Sequence, residues 1–186
     1  DSKAGWADSV KTLMNSLYEG QNIYFNYDEI RLEGARLKTM GGRASGPAPL
    51  VKLHDFISET MHNAQGRQLT PLEAHYICNQ IAEIVVVGGV RRSSQISLSD
   101  LNDDEMRHAK DWPYPIKRAM ANNSAIYREK PTAAEFLQEW GSLAQSGTGE
   151  RGIFNLEAAQ SKAPSRRYAP LIQGTNPCGE IMLRDM

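Results

Sequence analysis

The stretch PTAAEFLQEWGSLAQSGTGERGIFN, residues 131–155, decides the fold. Thr132 followed by Glu135 three positions later is a reciprocal helix-start signal. The hydroxyl can accept from the Glu135 amide while the carboxylate reaches back to the Thr132 amide. Phe136, Leu137, Trp140 and Leu143 then recur at helical spacing, and the pattern predicts that they pack inward. After a glycine-rich break, RGIFN (151–155) reads as a strand. Upstream, SQISLSD (94–100) alternates like a strand, and NDDEMRHAK (102–110) reads as a short helix. Helices alternating with short strands predict an α/β layout with crossover helices.

The same device recurs in TPLEAHYICNQIAEIVVVGG (70–89): Thr70 caps, Pro71 suits the first turn, and Glu73 closes the box. Leu72, Tyr76, Ile77, Ile81, Ile84 and Val85 form the expected buried stripe, with Cys78 beside it as a small buried apolar residue. KAGWADSVKTLMNSLYEG (3–20) places Trp6, Val10, Leu13, Met14 and Leu17 on one helical face, and Gly20 can end that helix. NIYFNY (22–27) is rich in strand formers. Helical spacing resumes at Leu50, Leu53, Phe56, Ile57 and Met61. GARLKTMGGRASGPAP (34–49) and QSKAPSRRYAP (160–170) read as loops. No linker interrupts the 186 residues, so a single domain over 1–186 is expected.

Composition excludes several classes. The net charge of −1 predicts no bulk binding to a nucleic-acid polymer or a membrane surface. The longest apolar run, IVVVGGV, is far too short to span a bilayer. Two cysteines do not make a disulfide scaffold, so both read as thiols in a reducing, cytoplasmic compartment, a single Cys78–Cys178 bridge being the alternative. His54, His62, His75 and His108 show no zinc spacing with either cysteine, and no metal site is expected. The chain opens on Asp1 with no secretory signal and stops six residues after Glu180, as expected of a fragment or processed piece.

Three stretches could carry chemistry. VVVGGVRRSSQISL (85–98) puts two glycines and two arginines between a helix and a strand. KTMGGRASGP (38–47) sets Lys38 and Arg43 around three glycines. Both could clasp phosphates, but on their residues alone ordinary surface turns are the better reading, since neither matches a phosphate-loop or dinucleotide fingerprint. TNPCGE (175–180) differs. Pro177 fixes φ and Gly179 frees the next bend, so Cys178 should stand at a tight turn between Asn176 and Glu180. A neighbouring carboxylate disfavours the thiolate, and no histidine is close in sequence to activate it. A neutral thiol suits the loss of a hydrogen atom, with Glu180 moving a proton and Asn176 holding a hydroxyl or carbonyl. A structural turn cysteine fits these residues equally well.

Together, TNPCGEI (175–181), GGVRRSSQISLSD (88–100), GARLKTMGGRASGP (34–47) and SGTGERGIFN (146–155) resemble the catalytic subunit of ribonucleotide reductases, in that family's order and over nearly the whole chain. The Asn-Pro-Cys form with GGVRRS most resembles the adenosylcobalamin-dependent class. The resemblance implies the first half of a ten-stranded α/β barrel, with a finger loop near 174–182. It implies that Cys178 becomes a thiyl radical, after homolysis of the coenzyme's cobalt–carbon bond, and takes the 3′ hydrogen of the substrate ribose. Glu180 is then the base toward the 3′ hydroxyl, and Asn176 holds the ribose. The loop near 34–48 resembles specificity loop 1, where a deoxynucleoside triphosphate effector meets Arg43 and Lys38, with Asp1 at the effector's sugar. The loop near 88–95 resembles specificity loop 2, through Gly88, Gly89, Arg91 and Gln95, between effector and substrate base. Coupling between the two ligands would then be reciprocal.

The resemblance also implies a ribonucleotide substrate, a thioredoxin-type reductant, the remainder of the reductase chain or a complementary fragment, and a homodimer. The family's pair of reductive cysteines has no counterpart here, and no cobalamin signature is visible. The isolated chain is therefore expected to be inactive. Two alternatives stay open: a catalytically inert nucleotide-binding fragment, and the iron-dependent class, against which Asn-Pro-Cys in place of Asn-Leu-Cys argues.

Overall fold

The computed structural model describes residues 1–37, 42–87, 90–91, 93–111, 113 and 119–184, with 86, 87, 90, 91 and 170 described by backbone alone. The chain divides into two compact units, Asp1–Ser93 and Ser94–Met186. Among the described residues no helix is long and apolar enough to cross a membrane.

The first unit holds helices α1 (Lys3–Tyr18), α2 (Ala48–Asn63) and α3 (Pro71–Ile84), then strands β1 (Val86–Val87) and β2 (Val90–Arg91), paired antiparallel. Ser2 caps α1 and Thr70 caps α3, the latter with both halves of the expected box: Glu73 N–H to Thr70 Oγ1 at 3.2 Å and Thr70 N–H to Glu73 Oε2 at 2.9 Å. Leu13, Leu50, Leu53, Ile57 and Ile77 form the core, and Trp6, Val10, Met14 and Leu17 pack against it from α1.

Three expectations are corrected here. NIYFNY forms no strand: Ile23, Phe25 and Tyr27 pack on the core from an irregular segment without a sheet partner among the described residues. The buried side of α3 is rotated from the predicted stripe, since His75, Asn79 and Ala82 are buried with Ile77 while Ile81 and Val85 are exposed. Cys78 is accordingly exposed rather than buried.

His54 on α2 ties three parts of this core. Ser9 on α1 uses its hydroxyl hydrogen on the Trp6 carbonyl (2.8 Å), so it accepts from His54 Nε2–H at 3.0 Å. Nδ1 then accepts from the Tyr27 hydroxyl at 2.7 Å. This network assigns the Nε2–H tautomer. Burial pushes the His54 pKa down against the opposing charge of Asp55. The folded imidazole thus binds a proton less readily than the unfolded one, so stability is complete above about pH 6.5 and falls below it. Urea unfolding followed from pH 8 to 5 should show this loss, and His54→Gln should flatten it. An unchanged profile in that variant contradicts the assignment.

The second unit is a βαβ arrangement. Strands β3 (Ile96–Ser99), β4 (Asn122–Tyr127) and β5 (Gly152–Asn155) form a parallel sheet in the order β3-β4-β5. The short helix α4 (Asp104–Arg107) lies between β3 and β4, and α5 (Ala133–Ser146) crosses from β4 to β5. Parallel neighbours need such crossovers, which is the α/β class expected. Helix α6 (Leu156–Ser161) and a 3-10 turn at Ala169–Leu171 lead to β6 (Ile172–Thr175) and β7 (Met182–Arg184), an antiparallel hairpin. Ile126, Phe154, Leu156 and Ile172 form its core, with Leu98 and Met182 against them, so the hairpin packs on one face of the sheet.

On α5 the cap is as expected, with Thr132 N–H to Glu135 Oε2 at 2.8 Å and Glu135 N–H to Thr132 Oγ1 at 3.3 Å. The face is not. Phe136, Leu137 and Trp140 are exposed, and Glu139 is buried at 4% exposure. Glu139 takes Arg107 Nε at 2.7 Å and Arg151 through Nε at 3.0 Å and Nη2 at 2.8 Å. Burial alone would raise its pKa, but the hydrogen bonds and charges of the two arginines outweigh that and hold the carboxyl below its ordinary range.

Candidate functional site

The turn joining β6 to β7 carries Asn176, Cys178 and Glu180 together. Asn176 is its first residue, Pro177 and Cys178 its centre and Gly179 its fourth, closed by Gly179 N–H to Asn176 C=O at 2.9 Å. Proline at the second position and glycine at the fourth suit this geometry, and Gly179 has φ +84°. Asn176 N–H donates to the Ile181 carbonyl at 3.1 Å, and Asn176 Oδ1 accepts from Ile181 N–H at 2.9 Å. Asn176 Nδ2 makes no hydrogen bond among the described residues, which leaves two donors available to a ligand. Cys178 and Glu180 are both exposed, and Cys178 is a free thiol.

A second contact fixes the turn from outside. Asn122, at the start of β4, donates from Nδ2 to the Pro177 carbonyl at 2.8 Å. Gln95, just before β3, accepts the Asn122 N–H through its carbonyl at 3.0 Å.

In the first unit, Asp1 and Arg43 line one cleft of about 1030 Å³, with Trp6 and Val10 on its apolar side and Lys11 and Arg31 among its cations. The Asp1 carboxylate is paired with the Arg31 side chain and also accepts from Arg31 N–H at 3.3 Å. Arg43 gives one donor to the Gly34 carbonyl at 2.9 Å, and among the described residues its other donors are left for an anion. The stretch read as a plain loop has a laddered base: Gly34 N–H to Ala44 C=O at 2.9 Å, Ala44 N–H to Ala35 C=O at 2.8 Å and Leu37 N–H to Gly42 C=O at 3.1 Å. Lys38, Gly88 and Gly89 lie outside the described residues, and Arg91 is described only as backbone in β2.

Sequence reasoning missed Arg31 and Asn122. Arg31 carries no local signal, since its partner is thirty positions away. Asn122 had one: an asparagine opening the run NNSAIY, which proves to be the central strand.

No family model matches the chain. Individual proteins do: over 98% of its length the chain is similar to homologues named adenosylcobalamin-dependent ribonucleoside-triphosphate reductases, the family that the resemblance implied. The protein of that name from Levilactobacillus brevis is 32% identical over 206 residues, and that from Lactobacillus acidophilus is also 32% identical over 206. The Lactobacillus leichmannii protein is 29% identical over 207 residues. The chain spans about a quarter (26%) of the length of these curated relatives.

Proposed function

We propose that this chain is the radical-bearing segment of an adenosylcobalamin-dependent ribonucleotide reductase, acting on ribonucleoside triphosphates. One observation carries the reading. A chain homologous throughout to reductases of that name holds Asn176, Cys178 and Glu180 on one sharp turn, in the order that reaction needs. The relatives' dependence on adenosylcobalamin favours that class over the iron-dependent one.

In this reading the two units belong to one barrel domain, of which the chain forms the first half, and the β6–β7 turn is its finger loop. A sulfur radical at Cys178 takes the hydrogen atom from the ribose 3′ carbon, forming S–H and leaving the unpaired electron on carbon. Glu180 accepts the 3′ hydroxyl proton, and Asn176 Nδ2 donates to the ribose. The 2′ hydroxyl leaves as water once protonated, two electrons and two protons come from a dithiol pair carried elsewhere in the polypeptide, which becomes a disulfide, and the Cys178 S–H returns its hydrogen atom to the 3′ carbon, restoring the sulfur radical. The coenzyme supplies the radical equivalent. Cys178 lines neither the 1030 Å³ cleft nor a smaller one of about 510 Å³ beside Arg107 and Glu139, so neither of these two clefts would seat a corrin beside the thiol.

The larger cleft is the proposed effector site, with Arg43 toward the triphosphate and Asp1 toward the sugar; Lys38, outside the described residues, is assigned to the triphosphate by resemblance alone. Gly88, Gly89, Arg91 and Gln95 form the segment between effector and substrate base. Arg43→Ala should weaken deoxynucleotide binding about 10- to 100-fold, the equivalent of losing a charge-assisted contact. Equilibrium binding to the full-length protein measures this, and unchanged affinity contradicts the assignment. The reading as a whole is tested by assaying deoxynucleotide formation with and without adenosylcobalamin. Strict dependence is expected. Turnover driven by an iron-bearing radical subunit alone would place the chain in the other class.

A further inference from the structure

We infer that Asn122 is a positioning residue for the radical turn, and that it links this turn to the segment ending at Gln95. The inference rests on the reading of Cys178 given above. The Asn122 carboxamide donates at 2.8 Å to the carbonyl of Pro177, the residue immediately before the thiol. That bond spans 55 positions of chain, so no local turn chemistry requires it. It holds the peptide plane that carries the Cys178 N–H and Cα, from which the thiol side chain springs.

The anchor is itself held at three consecutive residues. The buried Lys110 ammonium donates to the Ala121 carbonyl and to Glu150 Oε1, the latter at 2.7 Å. Asn122 N–H donates to the Gln95 carbonyl at 3.0 Å. Asn123 N–H donates to Glu150 Oε2 at 2.6 Å. Register places Asn122 opposite Ile96, at the first pair of the β3–β4 ladder. Side chains alternate along a strand, so Asn122 shares a face with Ile126, and Ile126 packs with Ile172 and Met182 of the hairpin. A reactive group placed on a rigid strand through one specific donor is the arrangement that precise chemistry requires.

A shift in the backbone at Gln95 therefore reaches Pro177 through one residue. Gln95 lies in the stretch proposed to contact substrate and effector, so ligand occupancy there would bias the orientation of the thiol. No contact between the two compact units is needed, because every atom in this path belongs to Ser94–Met186.

The test uses the full-length protein with Asn122→Asp, which keeps shape but loses the donor, and Asn122→Gln, which keeps the donor on a longer arm. Without coenzyme, amide exchange at Gly179 and Ile181 should quicken about 10-fold in the aspartate variant, as expected for one lost hydrogen bond. Exchange across 124–127 should not change. With coenzyme, kcat should fall about 10- to 100-fold at constant KM, the cost of misplacing a reacting atom, and the glutamine variant should recover part of both effects. Turn exchange and kcat within about 2-fold of the parent, or loss of protection in β4 together with the turn in both variants, overturns the inference. The second outcome would make Asn122 a structural strand residue. Failure of the underlying reading shows differently: turnover would persist in Cys178→Ala, while the exchange effect of Asn122→Asp would remain.

Discussion

Cys178→Ala in the full-length protein is expected to lower deoxynucleotide formation by roughly 10³-fold or more, the scale of removing a group that bonds to the reacting atom. Deoxynucleotide effector binding should stay unchanged. The selectivity follows from placement. Cys178 sits on the β6–β7 turn within Ser94–Met186, whereas Asp1 and Arg43 line a cleft within Asp1–Ser93. The thiol is exposed and is not among the residues of either core, so its loss removes chemistry rather than packing. Asn176 and Gly179 close the turn through backbone groups that alanine retains. Product assays and equilibrium binding on the same preparation measure both halves. Turnover within tenfold of the parent contradicts the assignment of Cys178, and loss of effector affinity contradicts the separation of roles.

Glu139→Leu should destabilise the second unit by about 3–5 kcal/mol. The substitution leaves Arg107 and Arg151, at 8% and 4% exposure, without their shared carboxylate. Their remaining contacts are largely to neutral groups. Arg151 donates to Ser99 Oγ at 2.7 Å and to the Asp100 carbonyl at 3.0 Å, and Arg107 to the Leu101 carbonyl and the Asp104 carboxylate. A buried ion without its partner costs more than the pair contributes, so replacing all three residues by apolar ones of similar volume should recover much of the loss. The low pKa of Glu139 adds a pH signature. Its stabilisation is present above about pH 4.3 and is lost as pH falls below that value. Urea unfolding of the single and triple variants measures the effect. A loss under about 1 kcal/mol in Glu139→Leu contradicts it.

What was legible in the sequence was local. The capping boxes at Thr70 and Thr132 are fixed by residues three apart, and the tight turn at Cys178 by proline and glycine beside it. The apolar stripe of α1 was legible for the same reason. The inward faces of α3 and α5 differ from the apolar stripe because polar side chains with buried partners turn inward. His75 and Asn79 are joined to each other in the buried side of α3, and Glu139 is drawn inward by arginines 32 and 12 positions away. Hydrophobic periodicity weighs Phe136 and Trp140 above a glutamate and carries no term for such a pair. The segment 22–27 has strand-forming composition, but a strand needs a partner edge, and the side chains are used on the helical core instead. At the candidate site, the turn geometry came from the residues themselves. The gathering of Asp1 with Arg43 had only a family resemblance behind it, and Arg31 and Asn122 depended on folded distance.

The central claim is that an unpaired electron resides on the Cys178 sulfur. The direct measurement is electron paramagnetic resonance of the full-length protein, frozen after mixing with adenosylcobalamin, effector and a ribonucleoside triphosphate. A spin signal should appear whose line shape changes when cysteine is deuterated at Cβ, and it should vanish in Cys178→Ala. The same signal in Cys178→Ala, or a line indifferent to cysteine deuteration, contradicts the account.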